Sequence, residues 1–252
     1  MGKDVKKKDL RQAVLALQDP SLLSLDVDDT SFDDTAINQL LRYIRNAKSL
    51  AFLNFSNSRI TTHGISSLSS IFPEQADNFV SLDFSHNTKI GDAGATLLFT
   101  QVAVLKKLSW LKMVDCGISK KSMSILSKTI SQWTSICVLN LSHNKIGDKG
   151  IKLFTNALRS CATLSILKLS DNEIKNDGAV FLAEALEKIK MLSFLDLSNN
   201  RIEKRGAQAL FKKFPSKKNA VLDLRNNRFD LKSMNEYIDS LSNMSICILI
   251  NP

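Results

Sequence analysis

The chain has 252 residues, with 34 lysines and arginines against 25 aspartates and glutamates, which gives a formal net charge of +9. Its 44% hydrophobic content is typical of a folded chain and argues against disorder. No apolar run approaches the ~18–20 residues of a membrane span, and no apolar signal core follows the basic start. These totals admit one or two domains and permit protein, nucleic-acid or anionic-membrane partners.

The first predicted element is a helix over residues 3–18, inside an N-terminal cap that spans residues 1–21. Leu10, Ala13, Val14 and Leu17 recur at helical spacing and form its apolar side. The lysines and the arginine near its start then lie on the solvated side of the same helix.

From residue 22 onward one phrase recurs, Leu-x-x-Leu-x-Leu-x-x-Asn-x-Ile. Its clearest copies begin at Ile136, Leu164 and Leu192, which are 28 residues apart. Looser copies occupy the rest of the chain, so eight repeats are predicted over residues 22–245. They start at residues 22, 50, 79, 108, 136, 164, 192 and 219. A capping strand over residues 246–252 is predicted to end the chain.

Each repeat has a strand-like half and a helix-like half. The alternation Leu-x-Leu predicts a short strand. A glycine follows, and apolar residues then recur at one helical face, as in Ala179, Leu182, Ala183 and Leu186. Each repeat is therefore predicted to be a strand, a turn and a helix.

This pattern resembles the leucine-rich repeat family, specifically its ribonuclease-inhibitor-like class of long repeats, over residues 22–250. The resemblance implies an α/β fold, a right-handed solenoid or horseshoe with a parallel sheet on its concave face and helices on its convex face. Strands pack ~4.8 Å apart but helices need ~8–10 Å, so the sheet is expected inside the bend. One domain overall is expected.

The resemblance also gives the asparagine position a structural role. Its amide is expected to bond backbone groups of neighbouring turns that would otherwise be buried without partners. Thr30, Ser58 and Cys116 replace it in three repeats, so Cys116 is interpreted as structural and not as a nucleophile. The predicted ladder consists of Asn87, Asn144, Asn172, Asn200 and Asn227.

The outward positions of the strands carry the candidate binding site. Six of the eight residues in the first outward column are apolar, and contiguous exposed apolar side chains mark partner surfaces. Packing between neighbouring strands is the competing interpretation. A third, serine-rich column is expected to leave room for a partner. The predicted partner-binding residues are Phe52, Trp110, Val138, Ile166, Phe194 and Val221, with Asp83, Lys112, Lys168 and Asp196 from the second column.

Catalytic and metal chemistry find little support in the sequence. His86 and His143 occupy equivalent positions two repeats apart, with Asp115 between them, and are interpreted as turn residues. No phosphate-binding loop, H-E-x-x-H or G-x-S-x-G motif is present. The chain is therefore predicted not to be an enzyme, with no cofactor and no metal.

The predicted function is a non-enzymatic scaffold that binds a protein partner through the concave sheet face, either as an intracellular adaptor or as a bacterial effector in host cytosol. The scattered cysteines suit a reducing, cytoplasmic location, and a monomer without a transmembrane segment is expected. The alternative is a binder of nucleic acid or of an anionic membrane surface. It would use lysines of the convex side or rim, namely Lys120, Lys121, Lys212, Lys213, Lys217 and Lys218.

Overall fold

The structure is a computed structural model that describes residues 3–6, 9–28, 32–214, 220–230, 234 and 246–250. The chain divides into two compact units. Unit 1 comprises Met1–Ile118 and Gln132–Ile136, and unit 2 comprises Ser119–Ser131 and Cys137–Pro252. The expectation of one domain overall stays a prediction.

Unit 1 alternates parallel strands with helices, and each strand pairs with the next in chain order. The strands are β1 (Lys3–Lys6), β2 (Leu22–Asp26), β3 (Phe52–Asn54), β4 (Ser81–Asp83) and β5 (Trp110–Lys112). The α-helices are α1 (Leu10–Leu17), α2 (Asp34–Asn46), α3 (Thr62–Ser69) and α4 (Gly91–Gln101). Short 3-10 helices lie at Phe72–Gln75, Thr88–Ile90 and Val102–Val104.

Unit 2 repeats this arrangement, again with parallel neighbours in chain order. Its α-helices are α5 (Lys120–Thr129), α6 (Gly147–Leu158), α7 (Asn176–Leu186) and α8 (Lys204–Lys213). Its strands are β6 (Val138–Asn140), β7 (Ile166–Lys168), β8 (Phe194–Asp196), β9 (Ala220–Asp223) and β10 (Ile246–Leu249). The predicted α/β repeat of strand, turn and helix is confirmed.

The register of the strands also agrees with the sequence pattern. In unit 1, Ser24 pairs with Phe52, and Ser81 pairs with both Phe52 and Trp110. In unit 2, the first outward column runs in register through Val138, Ile166, Phe194 and Val221. Equivalent residues of neighbouring repeats therefore lie side by side within each unit.

The core of each unit lies between the sheet and its helices. The central strand leucines, such as Leu82 and Leu167, are fully buried. The helical stripe meets them from the other side, because Ala179 and Leu186 are also fully buried. Burying a side chain of leucine size stabilises a fold by ~1.5–3 kcal/mol, so stacked repeats gain a continuous core that one repeat lacks.

A left-handed backbone turn follows the strand in most repeats. His86 has φ of 61° and Asp171 has φ of 50°. Asparagine, aspartate and histidine tolerate this conformation better than most residues, because their short polar side chains make local hydrogen bonds. The same turn position holds Asn57, Asp115, His143, Asn199 and Asn226, all with positive φ.

The predicted N-terminal helix is wrong in its first half. Residues Lys3–Lys6 form a strand that pairs with β2, and the helix begins only at Leu10. Asp9 sets this boundary, since its Oδ1 accepts a hydrogen bond from the Gln12 backbone N–H at 2.8 Å. Pairing of β1 also covers the edge of β2, which would otherwise present unpaired backbone groups.

The C-terminal strand pairs with β9, Ile246 lying opposite Ala220. It ends at Leu249, before the predicted end of the cap at residue 252. The helical spacing of Met234, Tyr237, Ile238 and Leu241 predicts a further helix over residues 231–243, which lies outside the described residues except for Met234, which is buried. Thr30, Lys217 and Lys218 also lie outside them.

Caps that reach from one repeat to the next were not foreseen. Asp148 Oδ1 accepts a hydrogen bond from the Lys175 backbone N–H at the start of α7. Asn176 Oδ1 accepts one from the Gly206 backbone N–H in α8 at 2.8 Å. Asp34 bonds Thr61 before α3 in the same way. These side chains satisfy helix N-termini that a helix cannot satisfy by itself.

Candidate functional site

The strands of unit 1 place one side chain outward before each buried leucine. Phe52, Ser81 and Trp110 occupy this position on β3, β4 and β5. Trp110 is 48% exposed and Phe52 is 39% exposed, whereas the leucines that follow them in the chain are at most 2% exposed. Two large aromatic side chains therefore stand in solvent on either side of a serine.

Unit 2 carries the same outward row with apolar residues in four consecutive strands. Val138, Ile166, Phe194 and Val221 lie in register from β6 to β9. Each is half-buried, because neighbouring side chains on one face of a sheet shield each other. The predicted apolar column is thus partly exposed in both units, and its two most exposed members belong to unit 1.

The second outward row carries the charged candidates, which are engaged on the face itself. Lys112 Nζ lies 3.2 Å from Asp83 Oδ2 in unit 1. Lys168 Nζ lies 5.6 Å from the centroid of the Phe194 ring in unit 2, within the range of a cation–π contact. Asp196 accepts a hydrogen bond from the Ser198 hydroxyl at 2.7 Å. The charged row therefore borders the apolar row directly.

The last member of the charged row, Asp223, is buried. The Arg225 guanidinium donates hydrogen bonds to its carboxylate, the shortest at 2.6 Å. Burial by itself would raise the pKa of Asp223, but the hydrogen bonds and the charge of Arg225 outweigh burial and lower that pKa. Asp223 pairs with Leu249 of the closing strand, so its surroundings differ from those of Asp83 and Asp196.

The serine-rich third column does not leave open space for a partner, contrary to the expectation. Ser198 Oγ donates a hydrogen bond to Ser170 Oγ at 2.9 Å. These hydroxyls belong to the packed turn after the strand and not to the exposed face. All five serines of the column are at most 8% exposed, namely Ser56, Ser85, Ser142, Ser170 and Ser198.

The asparagine position joins neighbouring repeats through the backbone. Asn200 Nδ2 donates to the carbonyl oxygens of Leu169 and Leu197 at 2.9 and 3.0 Å. Its Oδ1 accepts from the backbone N–H groups of Asn172 and Ile174, both at 3.0 Å. One buried amide thus satisfies backbone groups of two repeats. Backbone carbonyls also receive the amides of Asn87, Asn144, Asn172 and Asn227.

Cys116 stands at the asparagine position of its own repeat. Its Sγ lies 3.2 Å from the Phe84 carbonyl oxygen, and the side chain is fully buried. Burial raises the pKa of the Cys116 thiol to about 12. Such a thiol is almost entirely protonated at neutral pH and makes a poor nucleophile, which agrees with a structural role.

The two candidate histidines lie in left-handed turns and contact a carboxylate of the following repeat. His86 Nδ1 is 3.7 Å from Asp115 Oδ2, and His143 Nδ1 is 3.0 Å from Asp171 Oδ2. Turn geometry is sufficient to explain both residues. Within the described ranges, no group of three or more histidines, cysteines, aspartates or glutamates is arranged to hold a metal ion.

The four described lysines of the alternative interpretation lie at helix ends. Lys120 and Lys121 begin α5, and Lys212 and Lys213 end α8. Lys213 Nζ lies 2.6 Å from Glu187 Oε1, and its hydrogen bond and charge lower the pKa of that carboxyl. As far as the described part of the chain extends, no helix is both long and apolar enough to cross a membrane.

Large apolar side chains are also exposed away from the sheet. Leu15 on α1 is 58% exposed, Leu153 on α6 is 41% exposed, and Met191 before β8 is 59% exposed. The sequence offered a signal for Leu153, which falls outside the buried stripe of its helix. Single exposed apolar residues are ordinary on protein surfaces, and two of these serve below as controls.

Comparison with known proteins agrees with this architecture. Four segments, residues 78–99, 134–154, 160–183 and 188–211, match the family model described as Leucine Rich repeat. Among curated proteins, none matches the sequence. Internalin C2 from Listeria monocytogenes is structurally similar, at a TM-score of 0.54 and 15% identity over 86% of this chain and 84% of that chain. The C-terminal domain of tropomodulin from Caenorhabditis elegans is also similar, at a TM-score of 0.50 and 14% identity over 60% of this chain and 94% of that chain.

Within each unit, the repeated strand, turn and helix, the stacked leucines and the buried asparagines form a regular stack of repeats. The four matched segments carry leucine-rich repeats, and the fold is similar to that of leucine-rich-repeat proteins. At these sequence identities, the similarity to the two solved structures shows a shared fold alone. Assignment to the ribonuclease-inhibitor-like class stays a prediction.

Proposed function

We propose that the chain is a non-enzymatic scaffold that binds a protein partner through the exposed face of its sheet. The observation that carries the proposal is the exposure of Trp110 and Phe52 beside charged side chains on that face. We call this surface the sheet face. In unit 1 it consists of Phe52, Asp83, Trp110 and Lys112, and in unit 2 of Val138, Ile166, Lys168, Phe194, Asp196 and Val221.

Exposed aromatic residues in a row are well suited to anchor a partner. Tryptophan is enriched among residues that dominate binding energy, and such anchors are surrounded by polar contacts that exclude water. On the sheet face, Lys112 and Asp83 border Trp110 and would form such a rim. Short strands on a packed core also present these side chains with little freedom, which lowers the entropic cost of binding.

The setting that we propose is the cell interior, as an adaptor or as a bacterial effector acting in a host cell. Scattered cysteines and a repeat that occupies most of the chain support this setting. No catalytic motif accompanies the repeats, which supports a binding role rather than an enzymatic one.

Affinity capture from a lysate of the cells that produce the protein tests this function. The double variant Trp110→Ala/Phe194→Ala removes one apolar anchor from each unit, and we expect captured partner to fall at least about tenfold. The control variant Leu153→Ala/Met191→Ala removes two apolar side chains exposed off the sheet face. It should capture the same partner as the unchanged protein.

Equal capture by the double variant and the unchanged protein would contradict the proposal, provided that circular dichroism shows both to be folded. A partner lost only in the Leu153→Ala/Met191→Ala variant would place binding on another surface.

One observation favours the alternative, a polyanion binder. By sequence, unit 1 carries 13 lysines and arginines against 13 acidic residues, whereas unit 2 carries 21 against 12. The entire net charge of +9 therefore belongs to unit 2. Binding of single-stranded RNA through this charge should collapse between ~50 and ~200 mM salt. Binding through Trp110 and Phe194 should persist, so a salt titration separates the two functions.

A further inference from the structure

We propose that the notch formed by Phe52, Ser81 and Trp110 on unit 1 binds an arginine side chain that a protein partner presents. This inference rests on the proposed function, since it assigns a chemistry to part of the sheet face. It specifies that the anchoring side chain of the partner is a cation, whereas an exposed aromatic row alone would suit any apolar side chain.

The geometry of the sheet gives the notch its width. Phe52, Ser81 and Trp110 are in register on three adjacent strands, and adjacent strands lie ~4.8 Å apart. The backbones that carry the two aromatic residues are therefore about 10 Å apart, with only the small Ser81 side chain between them. A planar group above Ser81 would stand about one strand spacing from each ring, inside the ~6 Å range of cation–π contacts.

Unit 2 shows the same contact made within the chain. Lys168 on β7 holds its ammonium 5.6 Å from the ring centroid of Phe194 on β8. The matching charged-row positions of unit 1, one strand before each aromatic residue, are Asp26 on β2 and Asp83 on β4, which carry no positive charge. Lys112, on the same strand as Trp110, is directed to Asp83 at 3.2 Å. The aromatic side chains of unit 1 thus remain exposed to an external cation.

The charges around the notch attract a cation. The charged row of unit 1 holds Asp26 and Asp83 against Lys112, and unit 1 as a whole is neutral by sequence although the chain carries +9. An arginine fits better than a lysine, because its guanidinium is planar, stacks on aromatic faces and forms a donor fork for carboxylates such as Asp83.

The chain provides its own reporter for a test. It contains two tryptophans, and Trp133 is buried with its ring 5.9 Å from the Phe99 ring centroid and no hydrogen-bond partner for its Nε1. Trp133→Phe should therefore keep the fold and leave Trp110 as the only tryptophan, whose fluorescence can be excited selectively over that of the two tyrosines. The probe is a capped Gly-Arg-Leu-Gly peptide, titrated at ~150 mM salt beside a matched peptide with citrulline, which keeps the shape of arginine but lacks its charge.

We expect the arginine peptide to change Trp110 fluorescence in a saturable manner and to bind at least about tenfold more tightly than the citrulline peptide. Ser81→Phe, which fills the notch, should abolish binding, while Ser66→Phe on the exposed side of α3 should not. Asp83→Asn should weaken the arginine peptide more than the citrulline peptide. Circular dichroism of each variant establishes that it is folded.

Equal affinity for both peptides, or arginine binding that survives Ser81→Phe, would overturn the inference. If the arginine peptide does not bind but partner capture still depends on Trp110, the inference fails while the proposed function stands. If the peptide binds at the notch but capture does not depend on Trp110, the notch chemistry stands and the proposed function fails.

Discussion

Buried asparagine side chains, those of Asn87, Asn172 and Asn200, tie adjacent repeats of each unit together. Asn200 satisfies backbone groups in its own repeat and in the preceding one, and no apolar residue of similar size offers both donors and acceptors. The sequence pattern predicted this position because asparagine recurs there at fixed spacing. It did not predict the burial of the serines before it, since serine suits exposed and buried sites alike.

Replacing a ladder asparagine should cost more than its size suggests. Asn200→Ala would leave buried carbonyl and N–H groups without partners, so we expect a loss of ~1–3 kcal/mol in the free energy of unfolding. Urea denaturation measures this loss, with Asn156→Ala on the exposed side of α6 as the control. An Asn200→Ala protein as stable as the control would contradict the ladder role.

Burial should also make the thiol of Cys116 unreactive towards alkylating reagents. Because its pKa is raised to about 12, almost no thiolate exists at pH 8, and alkylation needs the thiolate. We expect iodoacetamide to modify the exposed Cys247 at least tenfold faster than Cys116 in the native protein. Peptide mapping by mass spectrometry resolves the two sites. The prediction would be contradicted if Cys116 were alkylated about as fast as Cys247 in the folded protein and no faster in urea. That result would show the Cys116 thiol to be accessible in the native state.

At the scale of the element, repeats are joined at their helix starts as well as at their strands. Asp148 and Asn176 cap the helices of the following repeats. The glycine near the start of α7 is explained by this contact, because a Cβ on Gly178 would come within 2.5 Å of Asp148 Oδ1. The recurring glycine was visible in the sequence, but its partner one repeat earlier became evident only from the packing of the helices.

Removing such a cap should destabilise unit 2. Asp148→Ala is expected to lower the free energy of unfolding by ~0.5–2 kcal/mol, because the N-terminus of α7 loses an acceptor. Thermal unfolding of this variant can be compared with that of Asp177→Ala. This control removes an exposed ion pair with Arg205 at 3.2 Å and a carboxylate in the first turn of α7, and should cost at most ~1 kcal/mol. The capping role would be refuted if both variants had the same melting temperature as the unchanged protein.

The ends of the repeat array were predicted less well than its middle. Strand register followed from the 28-residue period, since each strand must stack its leucines on the next. The chain before residue 22 lies outside that period, and Lys3–Lys6 forms a strand although its neighbours suggested a helix. Its state depends on the open edge of β2, a tertiary effect that local spacing does not report.

At the scale of the whole molecule, the sequence predicts a display surface more readily than its ligand. Alternation along each strand fixed which residues face outward, so Phe52, Trp110 and Phe194 could be predicted as a row. How far each is exposed depended on neighbours: Phe194 is partly shielded and contacts Lys168, whereas Trp110 is 48% exposed. Partner chemistry had to be inferred from those surroundings.

Site-specific photo-crosslinking shows whether a protein partner binds through the sheet face. A photoreactive p-benzoylphenylalanine is placed either at Trp110 or at Leu153, which is exposed on α6, and both proteins are irradiated in the same lysate. If the partner binds through the sheet face, we expect a discrete protein adduct from position 110 and no adduct of the same mass from position 153. The same adduct from position 153, with none from position 110, would contradict it.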